Sequence, residues 1–88
     1  MKKKLLTREA LSEKWIEPSF INGFGSMFWY NKYGEYHSIG DRPAIMWSNG
    51  NKCWYKNGKY HREGDKPAII YSDGNKYWYK NGKFIKKV

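Results

Sequence analysis

From residue 44 onward the apolar positions of the chain fall in short runs rich in β-branched and aromatic residues, separated by Asn49-Gly50, Asn57-Gly58, Asp73-Gly74 and Asn81-Gly82. Asn-Gly and Asp-Gly readily supply the two positive φ angles of a type I′ turn, the strongest short-range hairpin signal. Four such signals predict an antiparallel β-meander. A longer loop separates the hairpins, Gly40-Asp41-Arg42-Pro43 in one place and Gly64-Asp65-Lys66-Pro67 in the other. Proline there starts a strand or marks an exposed position.

The pattern repeats. A 24-residue stretch occurs twice in succession, Tyr36 to Lys59 and Tyr60 to Lys83, and 17 of the 24 positions carry the same residue. Gly25-Ser-Met-Phe-Trp29-Tyr30 echoes Gly50-Asn-Lys-Cys-Trp54-Tyr55, a degenerate first half-repeat of the kind that ends a repeat array. The chain therefore reads as a single domain over 1–88. It comprises a basic N-terminus and helix (1–18), a connector and half-repeat (19–35), repeat one (36–59), repeat two (60–83) and a last strand (84–88).

With two-residue turns, pairing follows by counting. Tyr71 then faces Lys76, Ile70 faces Tyr77, Ile69 faces Trp78 and Ala68 faces Tyr79; across the next turn Tyr79 faces Phe84 and Trp78 faces Ile85. Since side chains alternate faces, Ala68, Ile70, Tyr77, Tyr79 and Phe84 share one face with Ala44, Met46, Cys53, Tyr55 and Tyr60. Ile69, Tyr71, Trp78 and Ile85 share the other with Ile45, Trp47, Trp54 and His61, bordered by Lys52, Lys56, Lys59, Lys76, Lys80 and Lys83. The first face is expected to be the core and the second, amphipathic one a contact surface.

Ahead of the repeats, Thr7 can cap a short helix over about Arg8 to Glu17, with Leu11 and Trp15 on one side and Pro18 as its stop. So short a helix needs a surface to dock on, and the sheet would provide one. The start Met1-Lys2-Lys3-Lys4-Leu5-Leu6 imitates a signal peptide. Thr7, Arg8 and Glu9 interrupt the apolar run, which argues against both a signal peptide and a membrane span.

Composition refines this picture in three ways. Aromatic residues make up 19% of the chain, enough to mark it as folded and to supply most of its burial. The lone Cys53 excludes an internal disulfide and fits a reducing cytoplasm, while no Cys/His set has zinc spacing, so neither metal nor cofactor is expected. The net charge is +9, of which residues 29–88 carry +7, so the excess belongs to the repeats and favours anionic partners.

Catalytic signals are sparse. His37 and His61 each precede an aspartate by four residues, Asp41 and Asp65. Such a pair can do acid–base work across a cleft, but nothing supplies a nucleophile, and hydrogen bonding that orders the loop explains it as well. The glycines sit in turns and match no phosphate-binding fingerprint. The chain is not expected to be an enzyme. More suggestive are Lys52, Lys56, Lys59, Lys76, Lys80 and Lys83 beside Trp47, Trp54, Tyr71 and Trp78, since cations track phosphates and rings stack bases. Lysines at hairpin ends also blunt sheet edges, and Tyr71–Lys76 or Trp47–Lys52 can be internal cation–π pairs.

The WYKNGK-x-H…DG pattern at this period, over roughly Gly25 to Lys83, resembles the MORN-variant repeats, short hairpin units each carrying a tyrosine and an Asn-Gly turn. The chain departs from them in its His-x-x-Gly-Asp-basic-Pro-Ala stretch and its Trp-rich strand. The resemblance implies an extended antiparallel sheet and an interaction module, of a kind found in bacterial and phage proteins. Together these readings lead to a small, non-catalytic binder of a nucleotide or nucleic acid. The alternative is a protein-interaction module, such as an inhibitor docking on an acidic host defence protein. A cytoplasmic location (the host's, if phage-encoded) and homo-oligomers through free strand edges are expected with either.

Overall fold

The computed structural model describes residues 16–88. Nine short strands run β1 (Phe20–Ile21), β2 (Met27–Phe28), β3 (Ile45–Met46), β4 (Lys52–Cys53), β5 (Tyr55–Lys56), β6 (Lys59–Tyr60), β7 (Ile69–Ile70), β8 (Lys76–Lys80) and β9 (Lys83–Lys87). Seven of them form one antiparallel sheet in the order β1-β2-β3-β4-β7-β8-β9, while β5 and β6 make a separate two-stranded sheet. The expected fold class, one meander with an N-terminal helix, is corrected accordingly: the fold is mainly β with two antiparallel sheets, and no helix occurs among the described residues. Of the helix expected over Arg8–Glu17, only Ile16 and Glu17 are described, and both are irregular; the rest lies outside the described residues.

The dipeptide turns divide into two kinds. At Asn57-Gly58 and Asn81-Gly82 both residues take positive φ, 50° with 83° and 50° with 84°, as a two-residue type I′ hairpin requires. Lys56 accordingly pairs with Lys59, and Lys80 with Lys83. Asn49 and Asp73 do not adopt positive φ; only the following Gly50 and Gly74 do, at 100° and 99°. Their side chains accept the backbone N–H two residues on, Asn51 and Asn75, each at 3.0 Å. The loop gains a third residue, closed by Gly50 N–H to Trp47 O and Gly74 N–H to Tyr71 O, each 2.9 Å.

That extra residue moves the register by one and exchanges the faces. Ile69 stands opposite Tyr77 rather than Trp78, and Ile70 opposite Lys76; Ile45 likewise faces Cys53 and Met46 faces Lys52. The core row is therefore Phe28, Ile45, Cys53 and Ile69, all buried, with Tyr77 beside them. Each fully buried isoleucine contributes about 1.5–3 kcal/mol of transfer free energy. Met46 and Ile70, expected in the core, lie on the other face, while Trp47 and Tyr71 move to the core side.

Beyond the core row the sheet narrows to stacked hairpin tips. Tyr30, Tyr36, Tyr55, Tyr60, Tyr79 and Phe84 form one continuous ladder with successive ring centroids 5.4, 5.1, 4.6, 5.0 and 5.6 Å apart. Aromatic neighbours at such distances add about 0.5–1.5 kcal/mol each beyond their buried area. Backbone bonds tie tip to tip, Gly58 N–H to Tyr36 O and Gly82 N–H to Tyr60 O. The ladder explains the aromatic residue, tyrosine at all positions but Phe84, that recurs on each side of every tip.

β9 ends the array differently. Tyr79 faces Phe84 as counted, but a bulge follows and Trp78 faces Lys86, not Ile85. Past the bulge, Lys87 and Val88 pair with Tyr77 and Lys76, the positions that Ile69 and Ile70 take against Cys53 and Lys52 one unit earlier. β9 thus fills the slot of a next unit's strand without first making a loop.

Candidate functional site

On the face opposite the core, adjacent strands carry Trp29, Ala44, Trp54, Ala68 and Trp78, linked by Trp29 N–H to Ala44 O, Trp54 N–H to Ala68 O and Ala68 N–H to Tyr77 O. Large alternates with small along the row, and both alanines are fully buried. Trp29 and Trp54 are buried, and their indole N–H groups donate to carbonyls thirteen residues earlier, Ile16 at 2.9 Å and Asp41 at 3.2 Å. Trp78 has the same place in its unit but is half-buried, and its buried indole nitrogen has no partner among the described residues.

The two loops, 37–43 and 61–67, close over this row. Arg62 lies on Trp54 with its guanidinium carbon 3.7 Å from the ring centroid. It donates twice to Asp41, at 2.9 and 3.2 Å, and once to Pro67 O at 3.1 Å. Lys66 adds a second cation on Asp41 at 2.9 Å. Chiefly through the Arg62 hydrogen bond, the Asp41 carboxyl is held down to about 2. Loop two is thereby pinned to loop one.

Each histidine also locks its loop to the following tip. Asn57 N–H donates to His37 Nδ1 at 3.0 Å, and Asn81 N–H to His61 Nδ1 at 2.9 Å. With Nδ1 accepting, each neutral ring carries its hydrogen on Nε2. His61, which is buried, donates that hydrogen to Glu63 at 2.8 Å, and the bond draws the Glu63 carboxyl below its ordinary value. The anticipated His–Asp pairing is not formed: Asp41 serves Arg62 and Lys66, and Asp65 is exposed with no side-chain partner among the described residues. Tyr55, beneath the loops, has its hydroxyl pushed well above the ordinary range by burial and by its neighbour Tyr60.

Between the loops lies a cleft of about 550 Å³ whose lining includes His37, Asp41, Trp54, Tyr55, Lys56 and Glu63. Lys56 stands 3.7 Å from Glu63 on its rim. The three Lys and Arg ion pairs found among the described residues, those of Lys56, Arg62 and Lys66, belong to this cleft, as does the His61–Glu63 hydrogen bond.

The anticipated lysine–aromatic surface survives in altered form. Directly opposed residues share a face, and alternate residues along a strand do so as well. By the observed register Lys52, Trp54, Lys56 and Lys59 lie on one side with Lys76, Trp78, Lys80 and Lys83. Trp47 and Tyr71 are separated from that set. Both are exposed, Trp47 edge-on to Phe28 at 5.4 Å and Tyr71 edge-on to Tyr77 at 5.5 Å. Neither anticipated Trp47–Lys52 nor Tyr71–Lys76 contact forms. Trp54 is not open for stacking, since Arg62 occupies its ring.

The counting also missed Lys86, 4.8 Å over Trp78 and equivalent by the 24-residue offset to Arg62. From Lys76 to Val88 the chain carries five lysines and no acid. Lys80 reaches back to Gly64 O at 3.0 Å, Lys76 to Gly74 O at 3.4 Å, and Lys83 is exposed. The residues overlooked in the cleft, Arg62 and Glu63, are two of the seven positions at which the repeats differ, opposite Ser38 and Ile39. That divergence was the available signal.

No family model matches the chain, and no curated protein or solved structure does either. The MORN-variant likeness is thus carried no further than a small, mainly-β domain of short antiparallel strands, with exposed aromatic residues and surface lysines and arginines.

Proposed function

We propose that the protein is a non-catalytic binder of nucleic acid, engaging a single strand along the open hairpin β8–β9. The supporting observation is that Lys76, Trp78, Lys80, Lys83 and Lys86 share one side of a hairpin that bears no carboxylate. The opposed pair Lys80–Lys83 repels, and a phosphate between the two ammonium groups relieves that cost. Lys52, Lys56 and Lys59 continue the basic track over the neighbouring hairpin. Trp78, half-buried with Lys86 over its ring, supplies the aromatic surface on which a base stacks once that lysine turns to a phosphate.

The test is fluorescence anisotropy of a labelled oligothymidylate over a salt series. Affinity is expected to fall with salt at a slope of about −0.7 per phosphate contacted, and Lys80→Gln, Lys83→Gln and Lys86→Gln each to reduce that slope by roughly that amount. Binding that ignores salt, or triple-variant binding equal to wild type, overturns the assignment.

A second reading, docking on a protein, is favoured by the other end of the sheet. Phe20, Ile21 and Phe24 are 52%, 55% and 86% exposed there, on and beside edge strand β1. A second copy of this chain is one such partner, because among the described residues β1 and β9 each leave an edge unpaired. Loss of self-association in Phe20→Ser/Ile21→Ser, with oligonucleotide binding intact, assigns that end to protein contact.

A further inference from the structure

We infer that the cleft between the two loops is a second, separate site, for a small flat anion: a phosphate or carboxylate carried on an aromatic frame and held by His37 and Lys56. At about 550 Å³ it falls within the roughly 300–1,000 Å³ typical of small-molecule sites. Trp54, Tyr55 and Arg62 all line it; with the Trp54 ring covered by the Arg62 guanidinium, the surface left for the frame is the half-buried Tyr55 beside Arg62.

The two walls derive from the same repeat but are chemically unequal. On the wall from repeat two every polar side chain facing the cleft is already satisfied: Arg62 by Asp41 and Pro67 O, Lys66 by Asp41, and His61 by Asn81 and Glu63. On the wall from repeat one, Ile39 stands where Glu63 stands in repeat two. His37 has the same Nδ1 bond as His61, so its Nε2 also bears the hydrogen, but that donor has no acceptor among the described residues. Lys56, on the same rim, is half exposed and only loosely paired, 3.7 Å from Glu63. A fixed N–H and an ammonium beside the planar groups of Tyr55 and Arg62 ask for an oxyanion on a ring.

The formal charges lining the cleft (Lys56, Arg62 and Lys66 against Asp41 and Glu63) leave a small positive excess. The site therefore suits one anionic group and not a polyphosphate. It differs from the β8–β9 surface in residues and in ligand size, apart from Lys56, which borders both.

Isothermal titration calorimetry with adenosine 5′-monophosphate, with naphthalene-2-carboxylate and with uncharged adenosine tests this. At least one of the two acids is expected to bind and adenosine not to; the tighter acid identifies the headgroup. The decisive variant is Ile39→Glu, which gives repeat one the carboxylate of repeat two and occupies His37 Nε2. It, and Lys56→Gln, are expected to weaken binding on the order of ten- to a hundredfold, the loss of one charge-assisted hydrogen bond. An unchanged thermal midpoint shows that Ile39→Glu is folded. Absence of binding by either acid at millimolar concentration, or equal binding by Ile39→Glu, overturns the proposal. Oligonucleotide binding by Ile39→Glu should equal that of wild type, so the two sites fail or stand independently.

Discussion

Trp54 and Trp78 occupy the same position of two nearly identical repeats and meet different fates. Trp54 lies under a loop, its ring against Arg62 and its N–H on Asp41 O. Trp78 has a lysine over its ring and an indole N–H with no partner among the described residues. The residues around the two are alike within their own units; what differs is the route taken after the tip. From Tyr60 the chain leaves the sheet, builds loop two and returns as β7, whereas from Phe84 it bulges and runs straight on as β9. In a repeat array the role of a side chain is thus set by the neighbouring unit as much as by its own.

The contrast yields its largest effect on truncation. Trp54→Ala should cost about 3–5 kcal/mol, the usual range for a buried tryptophan, and Trp78→Ala about half as much. Urea unfolding of both variants measures the difference, and equal losses would remove the distinction between the covered and the open end.

A subtler version keeps the ring and deletes only the N–H. Trp54→Phe leaves Asp41 O without its donor and should be about 1–2 kcal/mol more destabilising than Trp78→Phe, which gives up no hydrogen bond. The same unfolding curves decide it; a Trp78→Phe variant as damaged as Trp54→Phe contradicts the unpartnered state of that nitrogen.

Acid should separate the two ends by a smaller margin. The Arg62 hydrogen bond first, and Lys66 after it, hold Asp41 at about 2 against an ordinary 3.8. A depressed carboxylate lends stability above about pH 4 and withdraws it as pH falls through about 2. Because Asp41 is nearly half exposed, screening reduces this to about 1 kcal/mol. Stability measured from pH 5 to pH 2 should fall less steeply in Asp41→Asn than in wild type. Identical slopes would show that the clasp between the loops does not depend on that charge.

Much of the architecture was legible in the chain. The 24-residue period, the antiparallel hairpins and the pairs Lys56–Lys59, Lys80–Lys83 and Tyr79–Phe84 follow from turn chemistry alone. The faces did not, because Asn-Gly and Asp-Gly serve two turn types. What separates them is whether the first residue turns to positive φ, as at Asn57, whose N–H is held by His37, or keeps negative φ and caps Asn51 with its side chain, as at Asn49. The first depends on a residue twenty positions away, so local reading cannot see it. The lysine track was foreseeable because hairpin tips keep parity. The cleft was not, since it forms only when Arg62 of one repeat crosses to Asp41 of the other.

The slot taken by β9 has a consequence for heredity. Any exchange between the two near-identical copies lengthens or shortens the chain by 24 residues, a whole unit. Each such product still joins a tip to a following tyrosine or phenylalanine, and Phe84-Ile-Lys-Lys-Val88 still pairs with the strand before its own tip. A change of copy number by whole units therefore keeps the spacing between each tip and the strand after it.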